Sequence, residues 1–178
     1  MVREILLLGN ENLYDVSEEV RREELPEILG LREDLKDTVL AYREKYGVGR
    51  AIAAPQVGVK KRVIFRLLDT ETLFINPVME FPDEELYEVM DDCMSFPGLL
   101  VKVLRHKRAV IRYKDEDWND RELHLEGDMS ELLQHEYDHL EGHVFTDRIS
   151  PIRKSFVRNK LVAIAKGKTG ARYKYRRN

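Results

Sequence analysis

The chain has 178 residues, 43% apolar and 35% charged, which suits one soluble domain with a real core and leaves too little length to expect two. No apolar run approaches the ~18–20 residues of a membrane span, and the short apolar start, Met1 to Gly9, lacks the pattern of a signal peptide. A lone cysteine, Cys93, excludes an intramolecular disulfide and fits a reducing cytoplasm. The net charge of −3 conceals a division. From Arg148 onward there are 11 Lys or Arg and no Asp or Glu, while the first 147 residues hold 19 basic and 33 acidic residues. Such a basic C-terminal stretch suits contact with a polyanion, RNA before any other, with a solvated helix face as the plainer alternative. Neither a membrane nor DNA is expected as a partner.

In chain order, Met1 to Gly9 reads as a strand or an extended arm. Ile28, Leu31, Leu35, Val39, Tyr42 and Tyr46 recur at steps of three and four, which predicts an amphipathic helix from Pro26 to Tyr46, ended by Gly47 and Gly49. The segment Gly49 to Gly58 is small and apolar with one amide, unlike an exposed loop. Strands are predicted at Arg62–Leu67, Thr72–Ile75, Tyr87–Cys93, Leu100–Leu104 and Ala109–Tyr113, and a turn over Asp115–Asp120 returns through Glu122–Leu125. A helix is predicted from Asp128 to Leu140, stopped near Gly142. A last helix runs from Ser150-Pro151 to Lys166. The expected architecture is α+β, with mixed or antiparallel strands wrapped around a central helix and a further helix near each end. Residues 1–166 are expected to form one domain and 167–178 a mobile basic tail.

The central helix carries the chemistry. Gln134-His135-Glu136-Tyr137-Asp138-His139 contains H-E-x-x-H. At 3.6 residues per turn, His135 and His139 share a face and converge on one metal ion. Glu136 lies beside them, where a carboxylate can take a proton from water. Alone the motif is weak, since paired histidines are often solvent-facing or ordinary core residues. Leu132, Leu133 and Leu140 bury this helix, however, and buried polar groups need partners. Cys93 offers a third ligand, and two imidazoles, a thiolate and an open fourth position describe a catalytic rather than a structural ion.

Three segments in this order resemble the peptide deformylases, whose motifs are G-x-G-L-A-A-x-Q, E-G-C-L-S and Q-H-E-x-x-H. The corresponding residues are Gly49-Arg50-Ala51-Ile52-Ala53-Ala54-Pro55-Gln56, Asp91-Asp92-Cys93-Met94-Ser95 and the motif of the central helix. The resemblance spans nearly the whole chain. It implies a hydrolase that removes the formyl group from the initiator methionine of nascent chains in the cytoplasm. It also implies one divalent ion, Fe(II) by family likeness with Zn(II), Ni(II) or Co(II) as alternatives, held by Cys93, His135 and His139. Glu136 becomes the proton carrier, and the Gln56 side-chain amide and the Met94 backbone N–H become donors to the oxyanion. Asp91 is expected to pair with Arg105. Gln134 and Asp138 are candidates to orient the ligands, with a plain polar contact as the alternative for Asp138. Docking at the ribosome through the C-terminal helix is implied as well, with Tyr173 and Tyr175 able to stack on bases.

The departures from the family pattern fall on substrate recognition. Asp91-Asp92 replaces Glu-Gly, Ala51 replaces the second glycine of the first motif, and Leu99-Leu100 stands where a downstream arginine is usual. Gly49, Ala51, Ile52, Asp92 and Leu100 are the expected substrate-binding residues, with Leu99 and Leu132 as further wall candidates and ordinary core as the equal alternative for Ile52, Leu99, Leu100 and Leu132. Two other functions remain open at this level: a related amidase acting on another formamide, and a catalytically silent binding protein with a structural ion.

Overall fold

The structure is a computed structural model that describes residues 1–144. The predicted helix from Ser150-Pro151 to Lys166, the basic tail and the domain boundary at 166 lie outside the described residues. No described helix is long and apolar enough to cross a membrane.

Helix α1 (Leu25–Tyr46) starts with Pro26 in its first turn, where the missing N–H costs nothing, and ends on Gly47, whose N–H bonds to Arg43 O at 2.8 Å. Strands β1 (Ala51–Ala53), β2 (Val63–Leu67), β3 (Glu71–Glu80), β6 (Arg108–Lys114) and β7 (Asp120–Glu126) form one antiparallel sheet in the order β1-β2-β3-β6-β7. Between β3 and β6 in the chain, β4 (Leu86–Asp92) and β5 (Leu100–His106) form a separate antiparallel hairpin. Helix α2 (Asp128–Leu140) carries H-E-x-x-H.

Alternation along the strands explains the layering. Val63, Phe65, Leu67, Leu73, Ile75 and Ile52 point to one face of the large sheet, where Ile28, Leu31, Leu35 and Val39 of α1 cover them. Ile64, Phe74 and Ala53 point to the other face and meet Leu133 and Leu140 of α2 together with Ala109, Ile111 and Leu125. Strands β2 and the first half of β3 are thus buried on both sides, which is why they read as continuous apolar runs. The inner face of the β4–β5 hairpin packs into a third cluster with Leu13, Phe96 and Leu99 and bonds to α2 through Arg105 and His106. Helix α2 therefore lies between the large sheet and the hairpin.

Two details depart from the sequence reading, and a third decides between its alternatives. Strand β3 does not stop at Ile75. Pro77 removes a ladder donor, but a bulge between Ile75 and Val78 absorbs it, with Asn76 at φ 49 and its side-chain amide bonded to both backbone groups of Val20. Tyr46 is exposed rather than part of the buried stripe of α1. Residues 1–8 form an arm, not a strand; it ties Leu6 N–H to Gln56 O at 2.8 Å and Leu8 N–H to Ser95 O at 3.1 Å. Beyond α2, Gly142 has φ 69 and passes so close to the Tyr14–Asp15 backbone that a Cβ there would lie 2.5 Å from Tyr14 O. Only glycine fits both demands.

Candidate metal centre

The centre forms where α2, the end of the β4–β5 hairpin and the turn after β1 meet. The i, i+4 spacing sets His135 and His139 on one face of α2, and both are buried. Strand β4 delivers Asp91 on its inner face, and the chain turns immediately after it, with Phe96 N–H bonded to Cys93 O at 2.9 Å. That turn aims Cys93 at the histidines. Its Sγ lies 3.2 Å from His139 Nε2, and donor atoms of Cys93, His135 and His139 all lie within 4.8 Å of one another.

The donor set fits a divalent ion. Burial raises the Cys93 thiol above its usual value against the pull of His135, so it ionises readily only with a cation present. Burial and the neighbouring His135 hold His139 well below the usual histidine range, which leaves it neutral and able to ligate. His135 turns Nδ1 to Asp91 Oδ1 at 2.7 Å, so its Nε2 is the ring atom presented to the ion. Although burial alone would lower it, Asp91 and Cys93 lift His135 well above its usual value.

Two polar groups border the ligands without joining them. Glu136 is buried, its Oε2 has no hydrogen-bond partner among the described residues, and burial pushes its carboxyl up to about 7. A carboxylate poised there both accepts and returns a proton near neutrality. Gln56 sits in the 3₁₀ turn Ala54–Val57. Its Oε1 accepts Ala53 N–H at 2.8 Å, so its amide nitrogen points to the centre, 3.5 Å from Cys93 Sγ and 3.2 Å from Ser95 Oγ. The Met94 N–H takes part in none of the backbone bonds of the turn among the described residues.

Behind the ligands, Arg105 is 2% exposed and holds two carboxylates, Asp91 Oδ2 at 2.6 Å and Asp138 Oδ2 at 2.5 Å. Asp91 thus reaches both His135 and Arg105 despite being one methylene shorter than the glutamate of the family motif. Although burial works against ionisation, His135 and Arg105 hold it down at about 2. Gln134 is placed differently from the expectation. Its amide bonds to both backbone groups of His106 (3.0 and 2.7 Å) and to Ser130, and none of these partners is a ligand. It faces the hairpin because position 134 lies roughly 100° around the helix from His135.

A cavity of about 660 Å³ opens beside the centre and is bordered by His135, Glu136, Cys93 and Met94. Gly49, Ala51, Asp92, Leu100 and Leu132 line it. Gly49 has φ 133, a conformation that suits glycine. Ile52 does not line it. As the middle residue of β1 its side chain points away from α2 and into the core under α1. Leu99 is likewise core rather than wall. Three residues of this region escaped the sequence reading: Ser95, which could have been taken from the second motif; Glu131, which four-residue spacing places on the face of His135; and Arg50, which carries no sequence signal.

The polypeptide deformylase family model matches residues 2–155. The chain belongs to the peptide deformylase family. A peptide deformylase of Cytophaga hutchinsonii is 34% identical, with 98% of this chain and 96% of that one covered. One from Fusobacterium nucleatum is 37% identical, covering 93% and 94%. The crystal structure of peptide deformylase from Thermus thermophilus superposes with a TM-score of 0.83 at 31% identity, covering 96% of this chain and 100% of that one. The antiparallel α+β layering of this chain is that of the family.

Proposed function

We propose that Cys93, His135 and His139 hold one divalent ion and that Glu136, Gln56 and the Met94 N–H carry out amide hydrolysis around it. As a peptide deformylase family member the chain is a hydrolase that removes the N-formyl group from nascent polypeptides, releasing formate. The observation that carries the residue assignment is the buried convergence of three ligand atoms with the unpartnered Glu136 oxygen at the mouth of a cavity.

When bound, the ion supplies Lewis-acid pull on the formyl oxygen and a water acidic enough to ionise near neutrality. Glu136 takes the proton of the attacking water and delivers it to the departing amine nitrogen. Gln56 Nε2 and the Met94 N–H donate to the oxygen that gains charge, and the Ala53 N–H fixes the Gln56 amide so that no reorganisation is needed as that charge appears. The Arg105–Asp91–His135 chain holds the imidazole in place. Among the described residues strand β1 pairs only with β2 and presents its other edge beside the cavity, so an extended peptide can add there as a further strand. Gly49, Ala51, Asp92 and Leu100 then border the substrate.

Fe(II) is the ion we favour, on family likeness, with Zn(II), Ni(II) and Co(II) compatible with the same donors. A cytoplasmic site of action fits a lone thiol ligand and a nascent-chain substrate. The strongly basic stretch after Arg148 supports docking on ribosomal RNA; ribosome co-sedimentation that ignores both salt and deletion of residues after Gly167 would rule this out.

The test is formate release from a formyl-Met tripeptide by protein prepared without oxygen and loaded with Fe(II), beside Glu136→Gln. The expected loss is roughly 10²–10⁴-fold in kcat with metal content unchanged. Full activity in the variant would remove Glu136 from the mechanism.

A further inference from the structure

Two of the charged residues that line the cavity, Arg50 and Glu131, form a pair that an apolar side chain cannot use. Glu131 lies one turn before His135 on α2, about 6 Å along the axis, with its side chain 11% exposed. Arg50, just ahead of β1, reaches across and places Nη2 at 3.2 Å from Glu131 Oε2. The Arg50 backbone is fixed, since its carbonyl accepts the Leu67 N–H at 2.7 Å. Both residues line the cavity that borders His135 and Glu136. The contact is single rather than a two-pronged fork, so the guanidinium keeps donors that are uncommitted among the described residues.

A methionine-like side chain filling this space would take water from the Arg50 side chain, which is 43% exposed, and give its uncommitted donors nothing in return, which costs free energy although the Glu131 contact remains. An unbranched side chain of the same length ending in an amide behaves differently. Its NH₂ can donate to Glu131 and its carbonyl can accept from Arg50. We propose that the Arg50–Glu131 pair is a specificity determinant: it gives the pocket for the formylated residue a polar wall that admits a polar, unbranched side chain of glutamine type alongside methionine. The inference rests on the deformylase reading and concerns only which side chain the pocket takes. The reaction is unchanged: water adds, the formyl C–N bond breaks, and formate and a free amine leave.

The experiment compares kcat/KM of the metal-loaded enzyme for formyl-Met-Ala-Ser and formyl-Gln-Ala-Ser, in the native protein and in the Arg50→Leu/Glu131→Leu double variant. Binding of the product peptides Met-Ala-Ser and Gln-Ala-Ser is measured by calorimetry on the same samples. The native enzyme should process the glutaminyl peptide within about tenfold of the methionyl one. The double variant should widen that ratio to about a hundredfold or more, in product binding as well as in turnover, because leucines at both positions deny the amide these two partners. Rejection of the glutaminyl peptide by the native protein overturns the inference without any recourse to variants. So does an unchanged ratio in a double variant that folds and binds metal. Turnover confined to formyl-Met removes only this inference, whereas failure to process any formyl peptide with metal bound removes the deformylase reading and the inference together.

Discussion

Arg105 and Arg108 stand three residues apart and each hydrogen-bonds two carboxylates, yet they belong to different physical regimes. Arg105 is sealed behind the metal ligands, with Asp91 and Asp138 as its partners. Arg108 lies at the open end of the hairpin and holds Asp83 at 2.7 Å and Glu85 at 2.6 Å in water. Hydrogen bonds to Asp83 and Glu85 raise the Arg108 guanidinium above its usual value, but solvent screens that attraction and the long side chains lose entropy to make it. The buried cluster forfeits hydration on three charges and recovers it only through good geometry, so removing one member strands the others. Similar contacts thus fix a ligand in one place and only decorate the surface in the other.

The comparison can be broken most severely at Arg105. Arg105→Met should cost about 3–5 kcal/mol in urea unfolding, because Asp91 and Asp138 stay buried and lose the cation they share. It should also weaken metal binding about 10–100-fold in chelator competition, because Asp91 no longer steadies His135. If stability held while metal affinity fell, the cluster would serve orientation alone. Gln134→Ala should be milder, about 1–3 kcal/mol, since it leaves the His106 backbone without its amide partner, and metal affinity should not change. A loss of metal there would show that Gln134 acts on the ligands after all.

The turn at Asp115 sharpens the comparison through pH. Desolvation opposes ionisation, but the Asn119 N–H, Arg121 and the Asp117 N–H pull Asp115 down to about 2. Being depressed in the folded state, it contributes stability that is present above its unfolded value near 4 and fades as pH falls toward 2. Asp115→Asn should lower the urea midpoint modestly at neutral pH and flatten the acid limb of the stability curve between about pH 4 and pH 2, so that the two proteins converge in acid. An identical acid limb would show that the turn geometry, not its charge, holds the hairpin. Smallest of all, Arg108→Ala should leave the urea midpoint within measurement error, and a clear shift would mean that the Asp83–Glu85 segment is coupled to the core.

Much of the centre was legible because its ligands follow local rules. Helical spacing places His135 and His139 on one face wherever the helix is found, and a lone cysteine leaves no choice of sulfur ligand. Strand runs were legible where burial is uniform, as in β2, and failed where a proline was absorbed by a bulge, as at Pro77. Side-chain direction on short elements was not legible. Ile52 and Ala51 are neighbours in one motif, yet the pleat of β1 sends one into the core and the other to the cavity. Gln134 is one residue from a ligand, and helix geometry turns it to the hairpin.

Periodicity and motif order are written along the chain, so the family, the three proposed ligands, Glu136 beside them and the two helices that frame the described fold are all readable from it. Only the tertiary structure decided that Asp91 spans His135 and Arg105, that the Ala53 N–H aims the Gln56 amide, and that Arg50 meets Glu131 across the cavity. Arg50 and Glu131 are 81 residues apart, and no local pattern encodes which strand edge will face which helix turn. That pairing is set when the two faces of the sheet and the hairpin close over α2 to bury their apolar side chains.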